Sequence, residues 1–159
     1  MIDFREIKKS DDPFLYDIIR KNLEAHKLNI PGTAYFDDNL AHLSEFYLSH
    51  RDCRTYLIVE SDGEVVGGVG LDRLSFIKDC AELQKLYLKD SMKGKGFGYK
   101  LVEKIEEKAR LLGYKKMYLE THTNLKAAIH IYEKCGYVQI PKPGEVVHST
   151  MNRFFLKQL

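Results

Sequence analysis

Lys93-Gly94-Lys95-Gly96-Phe97-Gly98 runs directly into Tyr99-Lys100-Leu101-Val102-Glu103. A strand-like segment lies before this run, and apolar residues at helical spacing follow it. Three glycines at the mouth of a helix let the backbone approach a ligand closely. The unpaired N–H groups of a helix's first turn, at the positive end of its dipole, favour an anion there. Lys93, Lys95 and Lys100 add positive charge in the same place. The physical reading is a cradle for a pyrophosphate. The spacing excludes the common nucleotide loops. A P-loop needs Lys-[Ser/Thr] directly after its second glycine, and Tyr99-Lys100-Leu101 supplies no Ser or Thr to hold magnesium. The dinucleotide pattern G-x-G-x-x-G also fails, because Gly94-x-Gly96-x-Gly98 continues into Lys100-Leu101.

Working outward, Arg54–Glu60 and Glu64–Leu71 are rich in β-branched and aromatic residues, and Ser61-Asp62-Gly63 joins them as a tight hairpin. Ala81–Leu88 reads as the next strand. Residues 98–112 read as a long helix stopped by Gly113. Lys116–Thr121 is a strand, 125–135 a helix ending at Gly136, and Tyr137–Ile140 a strand. Pro141-Lys142-Pro143-Gly144 is a loop, and about Val147–Leu156 is expected to form the last strand. At the other end, Ile2 and Phe4 suggest a first strand. Asp11 or Asp12 before Pro13 marks a helix start, with Phe14, Leu15, Ile18, Ile19 and Leu23 at helical spacing. A second helix is expected from Asp37 or Asp38 to Ser49. The order is that of a mixed α/β domain, read as one domain over 1–159.

Composition narrows the function. With 44% hydrophobic residues there is material for one sizeable core, and a net charge of +2 is too small to argue for nucleic acid or a membrane partner. No apolar stretch approaches a membrane span, and Met1-Ile2-Asp3-Phe4 reads as a strand start rather than a signal peptide. Cys53, Cys80 and Cys135 are widely spaced with no C-x-x-C, so neither a zinc site nor a disulfide framework is indicated. A reduced, cytoplasmic setting and no metal are the simplest expectation.

Two further segments complete a pattern. Glu82-Leu83-Gln84-Lys85-Leu86-Tyr87-Leu88 precedes the glycine run, and Asn124-Leu125-Lys126-Ala127-Ala128-Ile129-His130-Ile131-Tyr132-Glu133-Lys134-Cys135-Gly136-Tyr137 follows it. Together they resemble the GNAT family, the Gcn5-related N-acetyltransferases. That family's signature is Gln/Arg-x-x-Gly-x-Gly/Ala followed by a helix of the form A-x-x-x-Y-x-x-x-G-F. Lys93 departs from the usual first residue. The resemblance covers residues 54–140 best.

The resemblance implies an α/β GNAT fold, a mostly antiparallel sheet flanked by helices, whose fourth and fifth strands splay apart to admit acetyl-coenzyme A. It implies transfer of the acetyl group to a primary amine of a small molecule, peptide or protein by direct attack. Backbone groups from Lys93, Gly94, Lys95, Gly96, Phe97 and Gly98 would bind the pyrophosphate. The main chain of Leu86, Tyr87 and Leu88 would pair with the pantetheine arm as an added strand would. The N–H of Leu86 would face the developing oxyanion. Tyr132 falls at the general-acid position and Glu82 at the general-base position. His122 or water is the alternative base. Asn124, an N-cap by type for the helix it opens, falls near a cofactor-contacting Asn of relatives.

The acceptor site is expected among residues 25–40 and 141–150. His26, Tyr35, Phe36, Asp37 and Asp38 are candidates, with a helix start the simpler role for the two aspartates. A homodimer is a common assembly in that family. The alternative function is a non-catalytic acyl-coenzyme A sensor, against which Tyr132 and Glu82 both speak. A nucleotide-binding protein of another class lacks its Lys-[Ser/Thr] and magnesium ligands.

Overall fold

The computed structural model describes residues 1–159. The strands are β1 (Ile2–Glu6), β2 (Thr55–Ser61), β3 (Glu64–Arg73), β4 (Cys80–Leu88), β5 (Lys116–Thr121), β6 (Val138–Ile140) and β7 (Arg153–Gln158). The helices are α1 (Asp12–Ala25), α2 (Leu43–Ser49), α3 (Phe97–Leu111) and α4 (Lys126–Lys134). No helix is long and apolar enough to cross a membrane.

One sheet runs β1-β2-β3-β4-β5-β7-β6. Every neighbouring pair is antiparallel except β4 and β5. That parallel pair holds only at Cys80↔Lys116, Ala81↔Met117 and Glu82↔Tyr118. Beyond Glu82 the two strands part. β4 stays on β3 as far as Leu88↔Gly67, while β5 stays on β7 as far as Thr121↔Arg153. The seam between them therefore opens into a wedge, as the splayed-strand expectation requires.

Helices cover both faces. Leu101, Val102, Ile105 and Ala109 of α3, all at most 1% exposed, pack with Tyr132 of α4 against Val69, Leu71 and Leu83. On the other face Leu15, Ile19 and Leu23 of α1 and Tyr47 of α2 pack against Tyr56 and Ile58. Gly68 and Gly70 make room for these tyrosines. A Cβ on Gly70 would lie 2.7 Å from Tyr56 and 2.8 Å from Tyr47, and one on Gly68 would lie 2.4 Å from Tyr56. The β2–β3 hairpin turns at Asp62 and Gly63, both at positive φ (51° and 81°), the pairing of torsions a two-residue type I′ turn needs.

Three expectations are corrected. The helix expected from Asp37 or Asp38 is replaced by short 3-10 turns at Ala34–Phe36 and Leu40–His42, with α2 beginning only at Leu43. Asp37 is spent elsewhere, accepting hydrogen bonds from Lys85 and His148. The amide of Ser44, in the first turn of α2, donates instead to Asp12 of α1 at 2.9 Å, and its hydroxyl donates at 2.6 Å. Asp12 thus serves α2 rather than its own helix. The last strand is β7 at Arg153–Gln158, not 147–156. Residues 145–152 instead fold back as coil over 31–37, where the Thr150 amide donates to the Gly32 carbonyl at 3.0 Å and its hydroxyl to that of Pro31 at 2.6 Å. Finally, the residue before α4 is Leu125, with no side-chain cap. Asn124 sends its side-chain amide 3.0 Å to the carbonyl of His26 at the end of α1.

Candidate active site at the strand wedge

The wedge is the mouth of a cleft of about 410 Å³. Its walls are β4 from Glu82 to Leu88, the turn before α3, and the inner face of α4. Glu82 and Tyr132 both line it, as do Leu86, Tyr87 and Leu88. So do Lys93, Gly94, Gly96, Phe97 and Gly98. Lys95 and Asn124 do not.

β4 does not run straight along this wall. Gly68↔Tyr87 and Gly70↔Gln84 enclose one β3 residue against two on β4, a bulge centred on Lys85 and Leu86. Lys85 takes φ = 50°. The extra residue reverses the alternation of side chains. Leu83 packs toward α3; beyond the bulge Leu86 and Leu88 also pack there, and Tyr87 turns to the α1 face. Main chain as well as side chain is thereby turned into the wedge, where β5 no longer pairs with it. The bulge is held from behind by Tyr56, whose hydroxyl donates 2.8 Å to the Lys85 carbonyl.

The glycine turn has the conformation a close-approach loop needs. Gly94 and Gly96 take φ of 75° and 84°, torsions that a side chain disfavours. A Cβ on either would meet no atom within 4 Å, so no neighbouring group crowds the turn, and both glycines line the cleft. Gly96 precedes α3, and no side chain caps the helix. The free amides of its first turn suit an anion, and the residues present fit a pyrophosphate. Gly98 has a different role: a Cβ there would lie 2.6 Å from Ile131, so this glycine lets α3 and α4 touch.

Burial raises the proton affinity of both candidate catalytic groups. The Glu82 carboxyl is pushed up to about 7, chiefly by loss of water, with the charge of Glu120 adding to the rise. A hydrogen bond from the Gln84 amide at 2.8 Å opposes this. Gln84 is itself fixed by the Tyr47 hydroxyl, which donates to its oxygen at 2.7 Å. Tyr132 is 6% exposed, and desolvation lifts its hydroxyl well above the ordinary phenol range, with Tyr87 adding to the rise. It therefore keeps its proton at neutral pH.

The other candidates fare differently. His122 does not line the cleft, and its Nδ1 accepts the Asn124 amide at 3.0 Å. His26 lines the cleft, with Nδ1 2.8 Å from the Asn22 carbonyl oxygen. Tyr35 lies away from the cleft, bonded to Arg20 and Glu24; Phe36 is exposed, and Asp38 is also exposed and off the lining. Sequence reasoning missed Tyr47, Gln84, Glu120 and His148. The pattern of Glu82-x-Gln84 on one strand and Tyr118-x-Glu120 on another was visible, but only the register Glu82↔Tyr118 brings the two pairs side by side.

Known proteins with this architecture define a class. A GNAT acetyltransferase from Staphylococcus aureus superposes with a TM-score of 0.84 at 20% identity, over 99% of both chains. The PaiA N-acetyltransferase of Thermoplasma acidophilum, solved in complex with coenzyme A, superposes with a TM-score of 0.79 at 18% identity, over 100% of this chain and 99% of that one. In sequence, the uncharacterized N-acetyltransferase YjgM of Escherichia coli is 37% identical over 138 residues, 86% of this chain and 81% of that protein. The spermidine N(1)-acetyltransferase of Vibrio cholerae is 23% identical over 140 residues, 87% of this chain and 79% of that one. The family model of the acetyltransferase (GNAT) family matches residues 13–137. The chain belongs to the GNAT family and is an acetyl-coenzyme A-dependent N-acetyltransferase.

Proposed function

We propose that this enzyme acetylates a primary amine by direct attack on the thioester, with Glu82 as the base and Tyr132 as the acid. The observation that carries the reading is that a carboxyl and a phenol, both drawn out of water, line one cleft at the place where the sheet opens.

Acetyl-coenzyme A supplies an activated acyl group. The glycine turn from Lys93 to Gly98, with the uncapped start of α3, holds its pyrophosphate. The unpaired edge of β4 at Leu86–Leu88 orients its arm, and the Leu86 amide stabilises the charge that develops on the carbonyl oxygen. Glu82, ionised above about pH 7, accepts the proton that the ammonium must lose before nitrogen can attack. Tyr132 donates its hydroxyl proton to the departing sulfur. Cys135 has a thiol raised above its ordinary range, chiefly by burial, and it sits at the end of α4 off the cleft lining, so a covalent cysteine route has no support. The test is thiol release from acetyl-coenzyme A against a panel of small amines and peptides, with Tyr132→Phe as control. Release that the variant largely loses bears the reading out. Equal release by both proteins removes Tyr132 from it.

A further inference from the structure

Two carboxylates at the inner end of the wedge pair with no lysine or arginine. Lys85 and Asp37 satisfy one another at 2.8 Å, and His148 Nε2 also lies 2.8 Å from Asp37. That leaves Glu82 and Glu120. The Glu120 side chain is 7% exposed. Its Oε2 accepts the Tyr118 hydroxyl at 2.9 Å, whereas its Oε1 is buried and has no hydrogen-bond partner. His148 Nδ1 is 3.8 Å away, beyond hydrogen-bonding reach. A buried carboxylate oxygen without a donor is costly, and such groups are rarely left so without a purpose. No three His, Cys, Asp or Glu side chains are arranged to hold a metal. Glu120, Glu82 and His148 all line the cleft. Of the two carboxylate oxygens left buried without a partner, on Glu106 and Glu120, only that of Glu120 belongs to a residue lining the cleft.

We propose that Glu120 is a specificity-determining residue of the acceptor end, where Oε1 receives an N–H of the incoming ammonium while Glu82 takes its proton. The two carboxylates admit amines whose neighbouring carbon carries no carboxylate, such as alkylamines, and reject free α-amino acids. This rests on the role given to Glu82 above. Seating the ammonium requires the His148 ring to give way, and that ring stands on coil and makes its one hydrogen bond to Asp37.

The matched pair pentylamine and norleucine, which differ by that one carboxylate, tests this. Binding of each to the coenzyme A-loaded protein is measured directly, and thiol release from acetyl-coenzyme A is measured in parallel. The wild type should bind pentylamine and discriminate against norleucine. Glu120→Gln keeps an acceptor for Tyr118 and should retain coenzyme A affinity, the check that it has folded. It should raise KM for pentylamine about tenfold or more, with a smaller change in kcat. It should also erase most of the discrimination, which Glu120→Asp should keep.

A purely structural Glu120 would leave the preference for pentylamine over norleucine alone, whereas the pH profile reports its charge beside Glu82. Glu82 is faced by Gln84 and Lys85 from its own strand, by Tyr118 and Glu120 from β5, by Tyr47 from α2, and by His148 from the coil. Removing the Glu120 charge should move the acidic limb of kcat/KM downward. Equal binding of both ligands by the wild type, binding of neither, or an unchanged KM in Glu120→Gln would each overturn the assignment. Selective pentylamine binding with no thiol release would instead support the seat and count against the reaction proposed for it.

Discussion

Glu82 and Tyr132 both lose water on folding, and the loss raises the proton affinity of each. In the proposed mechanism, where the acid must stay protonated and the base must be free near neutrality, one physical cause serves both. Tyr132→Phe removes the donor and little else, since the ring packs against Tyr137 and Phe155. It should lower kcat by about a hundredfold or more if sulfur protonation limits the rate. Acetyl-coenzyme A affinity, measured by calorimetry, should hardly move. For Glu82 the sign follows from its raised value. The carboxylate is protonated at low pH and ionises as pH rises through about 7, so activity should climb over that interval. Glu82→Gln should abolish that limb in a pH–rate profile. Stability runs the other way. The raised value favours the wild-type fold at low pH, and this is lost as pH rises through about 7. The variant should therefore gain on the wild type above 7 in denaturant titrations at several pH values, with the gap closing at acidic pH.

At the scale of elements, the site depends on residues that never reach the cleft. Gly70 lets Tyr47 lie against β3; Tyr47 fixes Gln84; Gln84 holds Glu82. Tyr56, against Gly68, pins the bulge. Gly70→Ala would press a methyl group into two fully buried rings. It should cost about 1–3 kcal/mol of stability, the usual range for overpacking, read from urea melts. Activity should fall as well, through displacement of Gln84. A melt unchanged from the wild type would show that the rings shift freely and that this support is not rigid. The coil 145–152 shows the same dependence on distant partners. From about Val147 its local pattern reads as strand, yet Thr150 and His148 tie it over residues 31–37. Contacts more than a hundred residues apart decide its conformation.

Across the molecule, the wedge exists because one seam of seven strands stops pairing after three residue pairs, while the strands on either side remain paired. Coenzyme A spans that seam from the glycine turn to Glu82 in the proposed reaction, so it should stabilise the whole chain. At about a hundredfold its Kd the expected gain is about 2.7 kcal/mol, seen as a shift in thermal unfolding. Adenosine diphosphate, which lacks the pantetheine arm, should give a smaller shift at equal concentration. Equal shifts would mean that the open edge of β4 takes no part in binding. A single unfolding transition would support the expectation that residues 1–159 form one domain. The sequence by itself determined the element order, the glycine turn and the family, and it singled out Tyr132 and Glu82 as candidates, because these are written in local periodicity and in motifs along the chain. Only the tertiary structure decided the Lys85 bulge, the coil at 145–152, the role of Asp37 and the meeting of Glu82 with Glu120. Each depends on register and packing between segments far apart in the chain, and side-chain alternation within one segment carries no record of where its neighbour stops.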